Sequence, residues 1–494
     1  MILFRPKPSL SDKDVEKGLK SLLIDGSASQ IMATFTGGVF LVALALEFGA
    51  SNTVIGFLAA IPALTQLVQI PSTYLIEKIR NRRLITVVAA FLSRAPWILV
   101  ALTPFLPGKA AGLSIVILAV FLSSVFGSVA GCSWSSWVRD LVPENRMGSF
   151  FSKRTRMAIG FGLIISLVVG VYLDWWKKGH PENVILGYSP LFLIGFIAGI
   201  IGVIYLSIMP EPEMKPAEMG FIKSLFQPFK NKNFKRLLIF LGSWSFTVNL
   251  AAPFFTVYML GRLETGMSLV VILSVVSQAF NFGFIGLWGR YTDRFSNKSV
   301  LAVSGPLFML CILAWTFTTF PEKHFLTLPL VFVIHMLMGV ATAGITIASG
   351  NIGLKLAPKG QATAYLAAIS VVNAVAASIA PIIGGRFADY FATRSLSLTL
   401  NWTSPGREIV LPTLDFRHWD FFFVTAFFIG IYAMHRLSMV EETGEVDDNV
   451  VRDELIGAIK QPLRSLSSAA GVFQIISFPI RLLPIKTVVK KFIR

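Results

Sequence analysis

Twelve long apolar runs dominate this chain of 494 residues, beginning near positions 26, 53, 84, 112, 156, 189, 236, 268, 300, 326, 363 and 418. A helix needs roughly 20 such residues to cross about 30 Å of hydrocarbon, and each run offers that length. With 54% of its residues hydrophobic and 14% charged, the chain carries more apolar surface than a soluble core could bury. The expected fold is therefore all-α and integral to a membrane, with twelve transmembrane helices. The N-terminal segment is too charged, and the first run too long, for a cleaved secretory signal, so that run is expected to persist as an anchor.

The net charge of +17 is spread over short connecting segments rather than gathered on one domain. This points away from nucleic acid and towards a lipid bilayer with anionic headgroups. The segments after the second, fourth, eighth and tenth runs carry Lys78, Arg80, Arg82 and Arg83; Arg139, Arg146, Lys153, Arg154 and Arg156; Arg290, Arg294 and Lys298; and Lys355 and Lys359. The opposite side holds Lys109, Lys177, Lys178, Arg262 and Lys323, with Arg394, Arg407 and Arg417 in one longer loop. The positive-inside bias then places both termini in the cytoplasm and the protein in the cytoplasmic membrane. The expected organisation is an amphipathic N-terminal segment at 1–23, a six-helix bundle at 24–210, a Pro- and charge-rich linker at 211–234, a second bundle at 235–440, and a tail at 441–494. Helical spacing and Arg481, Lys486, Lys490, Lys491 and Arg494 mark that tail as an interfacial helix.

The stretch GRYTDRFSNK at 289–298 interrupts the apolar pattern, and TYLIEKIRNRR at 73–83 is a blurred copy of it. Superposing Glu77 on Asp293 and Lys78 on Arg294 gives an offset of 216 (293 − 77). DLVPENRMGSF at 140–150 falls on KLAPKGQATAY at 355–365 with an offset of 215 (355 − 140). Two markers with nearly one offset, and an even number of spans per half, describe a parallel duplication about an axis along the membrane normal.

GRYTDRFSNK resembles the cytoplasmic signature of the major facilitator superfamily, G-x-x-x-D-[RK]-x-G-[RK]-[RK], with Gly289, Asp293, Arg294 and Lys298 in place and Ser296 and Asn297 departing from it. In the first copy Thr73 replaces the Gly, Glu77 the Asp and Arg80 the second Gly, while Arg82 and Arg83 keep the basic end. With the twelve runs and the linker, the resemblance covers residues 20–440. It implies a secondary transporter, of the prokaryotic type with unassigned substrate, that moves a small solute by alternating access. No G-x-x-x-x-G-K-[ST] loop for ATP hydrolysis is present. The resemblance also implies that Asp293 and Arg294, and in the weaker copy Glu77 and Arg83, act as gate residues. There the acid meets a basic residue or a helix N-terminus when the cytoplasmic side is shut. The plainer alternative is a solvated turn that only sets topology.

Ionisable groups near the bilayer centre cost several kcal/mol unless they face a cavity or a partner. Arg94 lies eleven positions beyond Arg83 (94 − 83), about 16 Å up the third run at 1.5 Å per residue. It either anchors an anionic solute, or hydrogen-bonds Gln66, Gln69 or backbone carbonyls and ties the second run to the third. Gln66 and Gln69, and in the other half Gln278 and Asn281, are three apart and share a helix face. With Asn249 and His335 they are candidate solute-binding residues, against the alternatives of amide glue worth about 0.6 kcal/mol each and of a packed histidine. Asn373 is a further lone mid-run amide. Trp134 and Trp137 read as interfacial belt residues rather than a stacking site. Asp25 and Glu47 are expected to bracket the first run and Asp174 to close the fifth, so proton coupling has no obvious carrier.

Cys132 and Cys311 sit in apolar runs without a Cys/His cluster, so neither a metal site nor a cofactor is expected. The absence of H-E-x-x-H, G-x-S-x-G and clustered carboxylates argues against an enzyme. The rival reading is a membrane assembly factor or enzyme that keeps the fold and has lost transport. A monomer is expected.

Overall fold

The computed structural model describes residues 6–106, 108–143, 146–214, 227–319, 322–358, 362–404 and 407–442. Among these, twelve helices are long and apolar enough to cross a membrane: α1 (Asp12–Glu47), α2 (Asn52–Ile79), α3 (Arg82–Phe105), α4 (Lys109–Leu141), α5 (Met147–Gly179), α6 (Pro181–Ile208), α7 (Lys232–Gly261), α8 (Met267–Arg294), α9 (Asn297–Thr318), α10 (Thr327–Leu356), α11 (Ala364–Phe391) and α12 (Trp419–Ser438). The expected interfacial helix of the tail, the centre of the expected linker and Lys359 lie outside the described residues.

The first helix starts earlier than its apolar run. Ser11 caps it, accepting from the Asp14 amide at 3.3 Å while the Asp14 carboxylate accepts from the Ser11 amide at 3.3 Å, a reciprocal box that makes the charged first turns helical. Asp25 is consequently internal to α1 and only 3% exposed, which corrects the expectation that it marks the end of a span. A hydropathy ruler finds where a helix becomes apolar, not where it begins. The same helix breaks at Gly37, whose backbone is extended, and at Gly38, whose φ of +56° lies in the left-handed region that glycine enters without a Cβ clash. In α2, Pro62 cannot donate to the ladder, and a tighter 3-10 turn follows at Gln66–Val68.

The chain forms two compact units, one of Met1–Met219, Ala252–Ile272 and Ala377–Asp389, the other of Gly220–Ala251, Leu273–Ala376 and Tyr390–Arg494. In the first, Leu22, Trp137, Leu141, Leu206 and Met209 pack into one buried cluster. Helix α6 approaches α1 through small residues: a Cβ on Gly195 would meet Thr36 Cγ2 at 2.8 Å, and one on Gly199 would meet Met32 Sδ at 2.7 Å. Close backbone approach of this kind replaces the hydrophobic drive that lipid removes. The second unit buries Trp288, Trp315, Phe422 and Phe423, and the Trp288 indole N–H donates to the Val340 carbonyl at 2.9 Å.

The loop expected at 395–415 is instead an antiparallel hairpin of β1 (Ser395–Ser404) and β2 (Arg407–Arg417), with Ser395 opposite Arg417. Its first strand alternates Leu396, Leu398, Leu400 and Trp402 with Ser397, Thr399 and Asn401, all exposed. Strict alternation is the period of a strand. Among the described residues the remaining elements are all helical, as expected.

Candidate functional site

The two copies of the signature turn are built around one carboxylate each. Between α2 and α3 the chain turns through Arg80, left-handed at φ +52°, and Asn81 caps α3 by accepting from the Leu84 amide at 2.9 Å. Glu211 supplies the other acceptors: Oε1 takes the Arg82 amide at 2.6 Å and Oε2 the Arg83 amide at 3.1 Å. The segment bearing Glu211 is held by the Trp137 indole, which donates to the Pro210 carbonyl at 3.0 Å, and by the Lys7 amide, which donates to the Glu211 carbonyl at 2.8 Å. Burial pushes the Glu211 carboxyl above the ordinary carboxylate range, against the lowering effect of the Arg83 and Arg82 amides and of the Arg82 charge.

The turn between α8 and α9 repeats the arrangement. Ser296 caps α9, accepting from the Ser299 amide at 3.0 Å, and Glu442 takes the Asn297 amide at 3.3 Å and the Lys298 amide at 2.7 Å. The cations differ between halves. In the first, Arg82, 1% exposed, lies 3.5 Å from Glu211 and also pairs with Asp140. In the second, Asn297 stands at the position of Arg82 (297 − 82 = 215) and Lys355 at that of Asp140 (355 − 140 = 215). Lys355 pairs directly with Glu442 at 2.8 Å. A cation stands beside the capping carboxylate in both halves, but a different position of the repeat supplies it. Although burial raises the Glu442 carboxyl, the hydrogen bonds from Lys355, the Lys298 amide and Asn297 outweigh it and hold it below the usual range.

Around these caps the gate residues fall into two groups. Glu77, Asp293 and Arg294 are exposed at helix ends. Among the described residues neither the Glu77 nor the Asp293 carboxylate has a hydrogen-bond or ion-pair partner, and Arg294 lies over the Phe295 ring at 5.1 Å. Arg83 and Lys298 are engaged within their own units. The Arg83 guanidinium donates to the Ser207 carbonyl, and Lys298 Nζ donates to the Ser438 carbonyl at 3.3 Å. Gly289 leaves room: the atom nearest a prospective Cβ is Ile347 Cδ1, at 4.0 Å.

Arg94 is buried in a polar network of the first unit. It donates to the Gly199 carbonyl at 2.7 Å and the Ser29 hydroxyl at 3.0 Å, and lies 3.5 Å from Asp25, whose other oxygen is 4.0 Å from Arg154. These partners are on α1, α5 and α6: of the alternatives read from sequence, Arg94 takes a backbone carbonyl, that of Gly199, and not Gln66 or Gln69. Those two amides bond each other where α2 tightens. In the second unit Asn249 donates to the Ser245 carbonyl at 2.8 Å. Gln278 is exposed and Asn281 half-buried on α8. His335 is buried, its Nδ1–H donating to the Val331 carbonyl at 2.9 Å and its ring edge-on to Trp315 at 5.4 Å.

A cavity of about 540 Å³ opens in the first unit beside the Gly37–Gly38 break, lined among others by Met32, Thr36, Leu58, Pro62, Trp97 and Ser124. Among the described residues, none that lines it is charged. The Trp97 indole N–H donates to the Ser123 hydroxyl at 3.0 Å and the Thr36 hydroxyl to the Met32 carbonyl at 2.9 Å, so both donors are engaged within the wall itself.

Twelve spans, a parallel duplication, and matching carboxylate-capped turns define a multi-pass membrane carrier. The chain belongs to the Major Facilitator Superfamily, whose family model matches residues 26–381. Its fold is similar to that of the nucleoside transporter NupG (TM-score 0.63, 13% identity, covering 86% of this chain and 100% of that one). It is also similar to a bacterial homologue of the iron transporter ferroportin in an inward-facing state (TM-score 0.62, 12% identity, 88% and 100% covered). A bacterial homologue of the human lysosomal transporter Spinster aligns with TM-score 0.58 and 13% identity over 78% of this chain and 84% of that one. At these identities the likeness is one of fold. No curated protein matches the sequence. The protein is a secondary transporter of a small solute.

Proposed function

We propose that this carrier sits in the cytoplasmic membrane with both termini in the cytoplasm, and that its solute is uncharged where it meets the first unit. The observation that carries the solute reading is the cavity beside Gly37–Gly38, large enough for a small organic molecule and, among the described residues, lined by no charged side chain. Among the described residues no cation lines it for an anionic group, and Arg94 donates instead to Gly199, Ser29 and Asp25. We assign Arg94 to holding α1, α3 and α6 together, and Gln66, Gln69, Asn249, Gln278 and Asn281 to the polar share of the solute path. His335, tied to Val331, is assigned to packing. Glu77, Asp293 and Arg294, exposed at helix ends, serve as gate residues when the signature turns approach a neighbouring helix end. The chain is not an enzyme and works as a monomer. The basic connecting segments rest on anionic headgroups.

Flux measured in proteoliposomes with neutral, cationic and anionic solutes tests this reading. Neutral solutes are expected to move, and Ser124→Phe, which fills the cavity, is expected to stop them. Flux restricted to anions would reject the assignment.

A further inference from the structure

Two carboxylates that the signature turns do not involve make one contact twice. Near the end of α5, Asp174 Oδ1 accepts from the Met267 amide at 2.7 Å and Oδ2 from the Ser268 amide at 2.8 Å. Near the end of α11, Asp389 Oδ1 accepts from the Asn52 amide at 2.9 Å and Oδ2 from the Thr53 amide at 2.8 Å. The Asn52 side-chain amide at 2.8 Å and the Thr53 hydroxyl at 2.6 Å reinforce the second contact. Each acid thus satisfies the leading amides of another helix, α8 or α2, which have no acceptor of their own, and places negative charge where the helix dipole favours it. Gly266, just before α8, has no side chain with which to cap it.

The coincidence extends to the spacing. The two acids stand at an offset of 215 (389 − 174), as do the amides they bind (267 − 52) and the glycines one turn before the acids, Gly170 and Gly385 (385 − 170). That is the offset of the duplication. The glycines permit the approach: a Cβ on Gly170 would meet Ser268 Cα at 3.2 Å, and one on Gly385 would meet the Asn52 carbonyl oxygen at 2.2 Å. In sequence the device is G-x-x-x-D, GVYLD at 170–174 and GRFAD at 385–389. The signature pentapeptide GRYTD at 289–293 has the same form and closes the opposite end of α8 from the one Asp174 binds.

We infer that Asp174 and Asp389 are paired latches that hold the carrier shut at the end away from its termini, and that both must release in every transport cycle. Each joins a helix of one sequence half to a helix of the other, and they act in opposite directions: a first-half acid on a second-half helix, and the reverse. Neither diagonal can open while the other holds. Both acids bind amides rather than cations, so on release water can solvate acid and amides alike. A pocket of about 530 Å³ lined by Asp174, Gly266 and Met267 brings solvent to the first latch.

This inference rests on the transport reading, but its test does not require a solute. Full-length protein with Cys132→Ala and Cys311→Ala, carrying Ala59→Cys on the cavity wall, is reconstituted and exposed to a membrane-impermeant maleimide from the side opposite the termini. Asp174→Asn and Asp389→Asn are each expected to speed labelling about tenfold, and the double variant further, as the closed population is lost. Asp389→Glu, which keeps the charge, should stay near the parent. As a variant that keeps both acids, Gly170→Cys with Ser268→Cys should form a disulfide that suppresses labelling until it is reduced. Unchanged labelling in a double variant that elutes and melts like the parent would overturn the inference, as would an oxidised pair that labels at the parental rate. A protein whose labelling responds as expected but which moves none of the solutes would reject the transport reading and leave the latches standing.

Discussion

Arg94 and Asp25 lie 3.5 Å apart, only 6% and 3% exposed, each the other's charge partner at membrane depth. Breaking such a pair from one side strands a buried charge, at a cost of about 3–5 kcal/mol. Arg94→Gln should therefore lower the thermal midpoint of the purified protein sharply, and Arg94→Lys less, since it keeps the charge but loses the planar fork. Pairing Arg94→Gln with Asp25→Asn should recover part of the loss in a double-mutant cycle. An Arg94→Gln protein as stable as the parent, yet unable to bind an anionic solute, would return Arg94 to the solute site.

The two turn carboxylates should respond oppositely to pH. Glu442 titrates below its ordinary 4.5, so its stabilising contribution is present above about pH 4.5 and fades as pH falls through its lowered value. Glu211 titrates above 4.5, so its contribution is present below that value and is lost as pH rises through its raised one. Glu442→Gln is expected to cost about 2 kcal/mol at pH 7, with the difference from wild type shrinking on acidification. Glu211→Gln should cost less at pH 7. Melting curves of both variants at pH 7 and pH 4 decide it, and equal costs at pH 7 would contradict the assignment.

Asp293 is exposed and, among the described residues, has no partner. Asp293→Asn should therefore change stability by no more than about 0.5 kcal/mol. Its effect should fall on the cycle instead, slowing turnover and increasing cytoplasmic labelling of a cavity cysteine. Unchanged turnover and unchanged labelling would reduce the turn to a topology signal.

The proposed orientation rests on the charge bias and can be read directly. Cysteines introduced at 212–230 and 445–494 should react with impermeant reagent only from the cytoplasmic side, and cysteines in the hairpin at 395–415 only from outside. Reaction of both groups from one side would undo the orientation and the assignment of the latches to the outer end.

The spans are legible in sequence because twelve apolar runs of bilayer length allow little else, and the duplication because its turns carry charge against an apolar background. Hydropathy alone misplaces Asp25, because the charged turns before it are helical through the Ser11 and Asp14 box. The hairpin passes for a loop between spans, although SLSLTLNWTS alternates with period two. Glu211 and Glu442 escape an alignment of the halves because their offset is 231 (442 − 211), not that of the repeat. Asp174 and Asp389 are open to discovery: G-x-x-x-D recurs at the offset of the duplication. Sequence marks Arg94 as a cation within a span but not its partners, which come from helices far away along the chain.

Solute flux into sealed proteoliposomes bears most directly on the central assignment. The purified carrier is expected to equilibrate a small neutral solute without ATP, and to stop when the Gly170→Cys and Ser268→Cys pair is oxidised and resume when it is reduced. If a broad panel of solutes crosses no faster than in protein-free vesicles, with the protein folded and correctly inserted, the transporter reading is wrong for this chain.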